Sequence, residues 1–203
     1  MKLITVIGNI ASGKSTFSEL LAKNIPAIRV PADELYKKNP FFSLAVRDRK
    51  RWSLTSDLWF LYERVQMAKK FPLYLKKKHV VVDSGIPMSW IYANSRLNNG
   101  YYNQHEWSLY QRYYEELTSH LFPSDIIVNI EINEKTAFER IRKRNRLFEI
   151  RYFTPSYLKG LKRSIQTFRE TVKGKTKIIT IDGNTDFRNN EQTVLAFIAQ
   201  LLK

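Results

Sequence analysis

The residues best suited to chemistry lie near the amino terminus, in the stretch Gly8-Asn9-Ile10-Ala11-Ser12-Gly13-Lys14-Ser15. This stretch fits the pattern G-x-x-x-x-G-K-[ST] and lies between a strand-like run, KLITVI, and a helical one. Such a loop turns its backbone N–H groups toward phosphate oxygens, and the N-terminus of the following helix adds positive potential. The alternative, an ordinary glycine-containing turn, is the weaker interpretation in this context. We therefore expect a phosphate-binding loop.

The two residues that end this loop have expected roles of their own. We expect the Lys14 ammonium group to contact the β- and γ-phosphates of ATP, and the Ser15 hydroxyl to ligate Mg²⁺. The residues expected to bind ATP through the loop are Gly8, Asn9, Ile10, Ala11, Ser12, Gly13, Lys14, Ser15 and Thr16.

Phosphoryl transfer also needs a carboxylate near the metal, and Asp83 is the candidate. It ends the apolar run HVVVD, and the carboxyl ends of parallel strands are where ligands bind in α/β sheets. Asp83 is therefore expected beside the loop as a second ligand of Mg²⁺. A turn-forming aspartate is the alternative.

Arginines are concentrated in the stretch RIRKRNRLFE, residues 140–149. A helical spacing of four puts Arg140 and Arg144 on one face, and Arg146 falls at or beyond the helix end. Such arginines suit a lid, over about residues 144–154, that closes on ATP and stabilises charge on the transferring phosphoryl group. The alternative is a solvated basic helix face.

Apolar runs and helical spacing predict the elements that position these residues. Apolar strands separated by helices are typical of a parallel sheet covered on both faces. We expect one three-layer α/β domain over residues 1–203, with a parallel sheet of about five strands flanked by helices. Strands are expected at 2–7, 79–83, 125–131 and 176–181, and helices at 14–23, 53–77, 104–121, 134–145, 155–173 and 189–202.

The amino-acid composition excludes several classes of function. The 203 residues carry a formal net charge of +15, contain no cysteine and are 43% hydrophobic, which allows a core and excludes disulfides and thiol chemistry. The apolar runs are too short to span a membrane and no signal segment precedes the first strand, so a cytoplasmic location is expected. Residues 135–177 hold 14 Lys and Arg against three acids, yet no nucleic-acid motif accompanies them.

Taken together, these stretches resemble the deoxynucleoside kinase family, especially its bacterial deoxyadenosine/deoxyguanosine kinase branch. The resemblance rests, in the family's order and spacing, on GNIASGKST (8–16), Glu34 with the following NPF (34–42), RWS before a long helix (51–70), VVVDS (80–84), HEWSLYQRYY (105–114) and RIRKRNRLFE (140–149). It implies a P-loop kinase fold with an arginine-rich lid, and ATP-dependent phosphorylation of the 5′-hydroxyl of a (deoxy)nucleoside, with a purine expected. It also implies a homodimer.

The resemblance assigns roles to single residues as well. Glu34 lies where the family carries its general base, with Asp33 as the adjacent alternative. Arg64 matches an arginine that holds the nucleobase, and Glu149 matches a lid acid near the sugar. The lid arginines are matched by Arg140, Arg144 and Arg146. The expected catalytic residues are Glu34, Lys14, Arg144 and Arg146, and the expected substrate-binding residues are Glu34, Asp57, Arg64, Asp83 and Glu149.

The sequence departs from the family pattern on the nucleoside side. Ser84-Gly85 follow Asp83 where the family has Arg-Ser, so an arginine next to the reacting centre is missing. Ser89 replaces an aspartate that contacts the base, Asp57 replaces a glutamine, and Val46 replaces a tyrosine that contacts the sugar in some relatives. The cations considered as substitutes for the missing arginine are Arg47, Arg49, Arg51 and Arg96.

Asp57 supports a hypothesis about the base. An ionised carboxylate only accepts hydrogen bonds, whereas a glutamine amide both donates and accepts. Guanine presents two adjacent donors on its Watson–Crick edge, so Asp57 would favour guanine over adenine or cytosine. The alternative is that Asp57 and Arg64, two turns apart, pair on one helix face.

The function that these observations favour is a (deoxy)nucleoside kinase. Two alternatives stay open: a P-loop kinase of another small acceptor, such as a nucleoside monophosphate, and a nucleotide-binding relative without catalysis. An ATP-dependent nucleic-acid binder is least favoured, because the aromatic residues near the basic segment do not repeat as a stacking platform.

Overall fold

Five parallel strands form the central sheet of the structure, a computed structural model that describes residues 1–201. Their spatial order is β2-β3-β1-β4-β5, so the first strand is in the middle. Val6 pairs with Asp83 on one side of this strand, and Gly8 pairs with Ile130 on the other. The carboxyl ends of all five strands therefore meet at one edge. The strands are β1 (Leu3–Gly8), β2 (Ala27–Val30), β3 (His79–Asp83), β4 (Ile126–Glu131) and β5 (Lys177–Asp182).

Helices cover both faces of this sheet. Within residues 1–201 they are α1 (Lys14–Asn24), α2 (Phe42–Arg47), α3 (Arg49–Ala68), α4 (Phe71–Leu75), α5 (Ile86–Asn98), α6 (Gln104–Thr118), α7 (Glu134–Arg144), α8 (Leu147–Tyr152), α9 (Pro155–Thr171) and α10 (Glu191–Leu201). A short 3₁₀ segment, Ala32–Lys37, follows β2. None of these helices has both the length and the apolar character that crossing a membrane requires.

Alternating side chains of the strands divide the core into layers. On β1, Ile4 and Val6 pack with Phe17 of α1 and Phe197 of α10, whereas Ile7 packs on the opposite face with residues of α5, α7 and α9. This alternation is what the pleat of a strand produces. The expected three-layer architecture is therefore confirmed.

Several expected boundaries differ from the structure. The helix expected over 53–77 is two helices, because α3 ends at Ala68 and α4 restarts with Pro72 in its first turn, a position that proline tolerates. Strand β2 and helix α5 carry no strong sequence signal and were missed. The expected end of the last helix, residue 202, lies outside the described residues.

Candidate active site

The phosphate loop, residues 8–15, adopts a conformation that depends on glycine. Gly8 has φ of 152° and Gly13 has φ of 97°. A Cβ at Gly8 would lie 2.6 Å from the Ile130 carbonyl oxygen, and one at Gly13 would lie 2.9 Å from the Phe187 ring. Larger residues are excluded at both places, so the backbone is free to approach a ligand closely.

Lys14 lies against this loop. The side chain is buried, and its ammonium group donates to the carbonyl oxygens of Gly8 at 3.2 Å and Asn9 at 2.9 Å. Burial lowers the pKa of Lys14, and the charges of Asp33 and Asp83 oppose that shift. A phosphate group that takes over these hydrogen bonds would gain a nearby positive charge.

Asp83 lies fully buried at the carboxyl end of β3. Ser84 Oγ donates to its carboxylate at 3.2 Å, Arg29 Nη2 lies 3.4 Å away, and the Ser15 side chain is near enough to affect its pKa. Burial raises the pKa of Asp83, the charge of Asp33 adds to that shift, and Lys14, Ser15 and Arg29 oppose it. Ser15 and Asp83 are thus brought together as expected.

The donor set beside the loop fits a magnesium ion that also binds phosphates. One hydroxyl and one carboxylate are close together, and residues 1–201 contain no cluster of three or more His, Cys, Asp or Glu able to hold a metal. Mg²⁺ in phosphoryl-transfer sites usually keeps several waters and takes one or two protein ligands plus substrate phosphates.

Arg29 is an arginine beside Asp83 that the sequence analysis did not identify. It extends from β2, donates through Nε to Ser18 Oγ at 3.0 Å, and pairs with Asp83. Three of the four arginines considered as substitutes make other contacts: Arg49 donates to the Tyr152 carbonyl oxygen at 2.6 Å, Arg51 lies over the Trp52 ring, and Arg96 pairs with Asp57. The one available signal was a charged residue inside the short strand AIRV.

The two neighbouring acids of the 3₁₀ segment have different surroundings. Glu34 is 56% exposed at its side chain and accepts from Lys37 Nζ at 2.9 Å. That hydrogen bond and the Lys37 charge lower the pKa of Glu34. Asp33 lines the cavity beside the phosphate loop.

Glu149 forms ion pairs with two of the three expected lid arginines. Arg144 Nη1 lies 3.1 Å and Arg146 Nη1 lies 3.0 Å from the same carboxylate oxygen of this buried acid. A left-handed Asn145 (φ 54°) ends α7 and turns the chain so that both arginines face the cavity. Arg140 differs, because it donates to the carbonyl oxygens of Ala11 and Asn184 at 3.2 and 3.1 Å, outside the cavity.

Helix α3 supplies the far end of the cavity. Asp57 Oδ2 accepts from Tyr102 OH at 2.7 Å and from Arg96 Nε at 3.4 Å. Arg64 is also buried, donates through Nη1 to Ser89 Oγ at 2.8 Å, and has no hydrogen-bond partner for Nε. The alternative of an Asp57–Arg64 pair is therefore wrong; Asp57 pairs with Arg96 instead.

One cavity joins the loop to this far end. The expected residues that line it are Ile10, Ala11, Ser12, Gly13, Lys14, Ser15, Thr16, Asp57, Arg64, Arg144, Arg146 and Glu149. Among the other expected residues, Gly8, Asn9, Glu34, Asp83 and Arg140 do not line it. Aromatic side chains that sequence analysis missed form much of the wall between its ends: Tyr36, Phe42, Phe60, Phe148, Phe153 and Tyr157.

A strand–loop–helix phosphate site that opens into a walled polar and aromatic pocket defines a P-loop phosphotransferase acting on a small acceptor. The model of the deoxynucleoside kinase family matches residues 4–203. The chain therefore belongs to the deoxynucleoside kinase family, and is a nucleoside kinase that uses a nucleotide.

Relatives of known name span nearly the whole chain. A deoxyguanosine kinase of Bacillus subtilis (strain 168) is 28% identical, with 98% of this chain and 97% of the relative covered. A deoxyadenosine kinase of Dictyostelium discoideum is 23% identical, over 98% of this chain and 77% of the relative. The structure of deoxyadenosine kinase from M. mycoides with bound dATP has a TM-score of 0.81 at 20% identity, with both chains fully covered, and so shares the fold.

Proposed function

We propose that this kinase transfers the γ-phosphoryl group of ATP to the 5′-hydroxyl of a purine deoxynucleoside. The observation that carries the proposal is the cavity that runs from the phosphate loop and Lys14 to Asp57 and Arg64. Such a cavity holds a triphosphate at one end and a base at the other, with the two reacting groups between them.

The phosphate loop and Lys14 hold the triphosphate of ATP. Ser15 and Asp83 would hold Mg²⁺, which would neutralise charge on the phosphates. Arg144 and Arg146 leave Glu149 when the lid closes, and donate to the transferring phosphoryl group as its charge spreads over the equatorial oxygens. Arg140 stabilises the loop through the Ala11 carbonyl oxygen.

The far end of the cavity binds the base, and guanine is the base that we propose it prefers. Asp57 accepts from two protein donors on Oδ2, which orients the carboxylate and leaves Oδ1 for a base N–H. Arg64 has an unpartnered Nε at the same end. An arginine fork matches the O6 and N7 acceptors of guanine, whereas adenine presents an amino donor beside N7. The names of the relatives include both deoxyguanosine and deoxyadenosine kinases.

The experiment that tests the function measures ADP release from Mg-ATP with a panel of ribonucleosides, deoxynucleosides and nucleoside monophosphates. We expect turnover with purine deoxynucleosides and a loss of at least about 100-fold in Lys14→Ala, because a charge next to the transferring group is removed. Lys23→Ala, an exposed lysine at the end of α1, is the matched control and should leave the rate unchanged. Turnover with monophosphates alone would favour a kinase of another acceptor, and ATP binding without any turnover would favour a silent relative.

The base preference has its own test in Asp57→Asn. We expect the ratio of kcat/KM for deoxyguanosine over deoxyadenosine to fall about tenfold or more, since one good paired hydrogen bond discriminates between bases by ~1–3 kcal/mol. Asp125→Asn, just before β4 and outside the cavity lining, controls for a general effect of removing an acid. An unchanged ratio in Asp57→Asn would end the guanine proposal and leave the kinase proposal intact.

We further propose a cytoplasmic homodimer. The helices α3 and α6 pack side by side and expose Tyr62, Leu109 and Tyr113, which are 53%, 43% and 48% exposed. Exposed apolar side chains on adjacent helices suit an interface between two copies. Light scattering after size-exclusion chromatography tests the assembly. A homodimer should have a mass of about 48 kDa, which is twice the chain mass. A mass of 24.0 kDa would contradict the proposal. Cell fractionation tests the cytoplasmic location. The proposed use of ATP supports this location.

A further inference from the structure

The 3₁₀ segment Ala32–Lys37 contains two adjacent acids, Asp33 and Glu34. Of these two described residues, only Asp33 lines the cavity. Asp33 lines the cavity wall next to Lys14 and Ser15. Glu34 turns outward, and its side chain is more than half exposed. Because consecutive side chains of a 3₁₀ helix point about a third of a turn apart, one short segment cannot direct both carboxylates to the same place.

The hydrogen bonds of the two acids support the same distinction. Glu34 is already bound by Lys37 at 2.9 Å on the outer side of the segment. The Asp33 carboxylate accepts no hydrogen bond and makes no ion pair within residues 1–201. A carboxylate in this state is ready to accept a hydrogen bond from a ligand in the cavity.

The charge of Asp33 reaches the groups that surround the reacting centre. It is the largest opposing charge that acts on the pKa of Lys14, and it contributes to the raised pKa of Asp83. It also raises the pKa of Tyr92 on α5 and opposes the lowered pKa of Arg64 on α3. Asp33 therefore shares one cavity with Lys14 at the phosphate end and Arg64 at the other end, and the acceptor hydroxyl of a bound nucleoside must lie between those two ends.

We propose that Asp33, and not Glu34, is the catalytic base that receives the proton of the acceptor 5′-hydroxyl. The 5′-oxygen forms its bond to the γ-phosphorus with an oxygen electron pair, while the O–H bond breaks and the proton passes to an Asp33 carboxylate oxygen. The bond between the γ-phosphorus and the β,γ-bridging oxygen breaks, and its electron pair leaves with ADP. Asp33 later loses the proton to solvent. The assignment rests on the proposed function.

Glu34 then has a different part in the molecule. Its ion pair with Lys37 closes one turn of the 3₁₀ segment on the solvent side. It holds no group that faces the substrate. The family resemblance placed the base at Glu34 by its spacing to Asn39, and a shift of one residue along the segment moves that role into the cavity.

The test compares Asp33→Asn with Glu34→Gln, two variants that each remove one charge and keep the side-chain shape. For Asp33→Asn we expect kcat to fall by roughly 100-fold or more, since a general base contributes ~10²–10⁴-fold. For Glu34→Gln we expect a change of about twofold at most, as for an exposed residue remote from the chemistry. The thermal shifts induced by Mg-ATP and by the nucleoside should stay close to those of the wild type in both variants.

Asp33→Glu keeps the assignment falsifiable if Asp33→Asn folds poorly. It retains a carboxylate one methylene further out, so it should keep clearly more activity than Asp33→Asn or Asp33→Ala. A large loss in Glu34→Gln, an active Asp33→Asn, or equal losses in Asp33→Glu and Asp33→Ala would each overturn the assignment. A wild-type enzyme that binds ATP but turns over no nucleoside would contradict the proposed function instead.

Discussion

At the scale of single residues, the end of the cavity formed by Asp57 and Arg64 is built from charges that are buried and unequally paired. Asp57 has two donors from the protein, whereas Arg64, 5% exposed, has a hydroxyl partner and an unpartnered Nε. A buried charge is tolerated only where hydrogen bonds replace water. The hydrogen bond from Tyr102 is the shortest of these, and it fixes the Asp57 carboxylate that we propose binds the base.

Tyr102→Phe should therefore lower the stability of the protein more than the loss of a hydroxyl group usually does. A hydrogen bond to a charged group contributes about 1.5–3 kcal/mol, and the free energy of unfolding should fall by that amount. Urea denaturation followed by circular dichroism measures the change. Tyr113→Phe on α6, where the side chain is 48% exposed, is the control and should stay within about 0.5 kcal/mol. Equal stabilities of the two variants would show that Asp57 does not depend on Tyr102.

At the scale of elements, the junction of β1 and β3 depends on a histidine that stays neutral. His79 Nδ1 accepts from the Lys2 backbone N–H at 3.0 Å, at the start of the pairing between these strands. Burial lowers the pKa of His79 below its ordinary value of 6.5, and the amino terminus and Lys2 add to that shift. A protonated ring could not accept this hydrogen bond.

Stability should accordingly depend on pH through His79. The unfolded chain binds this proton at a higher pH than the folded chain does, so the contribution is present above pH 6.5 and is lost as the pH falls through the lower, folded-state pKa. We expect thermal unfolding between pH 7.5 and 5 to show a smaller loss of stability in His79→Asn than in the wild type. His105→Asn, exposed on α6, should reproduce the wild-type curve, and a match of His79→Asn to the wild type would rule out this role.

Some of the helices and strands could be predicted from the sequence, and others could not. The glycine and lysine of the phosphate loop have a fixed chemistry, and the apolar runs of β1, β3 and β4 form buried strands, so the loop and the sheet could be predicted. Helix α5 lacks a clear apolar stripe because it is buried on more than one side, among Met88, Ile91 and Ala93. The contact of Arg29 with Asp83 depends on the pairing of β2 with β3, and no spacing along the chain encodes such a pairing.

At the scale of the whole molecule, the net charge of +15 opposes compaction. The lysines 76–78, which connect α4 to β3, are all exposed and adjacent, so each repels the next. The cavity carries more cations than acids among its lining residues. Phosphate groups of the bound nucleotide therefore relieve part of this repulsion.

Salt should stabilise the unliganded protein. Screening shortens the range of charge repulsion from about 30 Å at 0.01 M to about 8 Å at 0.15 M ionic strength, so the melting temperature should rise over that interval. Lys77→Glu should raise the melting temperature at low salt by about 1 °C or more and flatten the salt dependence, as measured by calorimetry. Lys77→Gln should give a smaller effect of the same sign. A melting temperature that falls with salt would mean that attractive ion pairs dominate.

The contact between Gly13 and Phe187 has a consequence for the order in which the enzyme is made. The phosphate loop is among the first segments to be synthesised, but the Phe187 ring that packs against it and against Phe17 comes from near the other end of the chain. Gly183 also lies near the loop, because a Cβ at this position would be 2.7 Å from the Ser12 carbonyl oxygen. A growing chain on the ribosome therefore carries the loop sequence long before the loop has its final walls. The phosphate loop is begun first and completed last, when the carboxyl-terminal segment reaches the sheet.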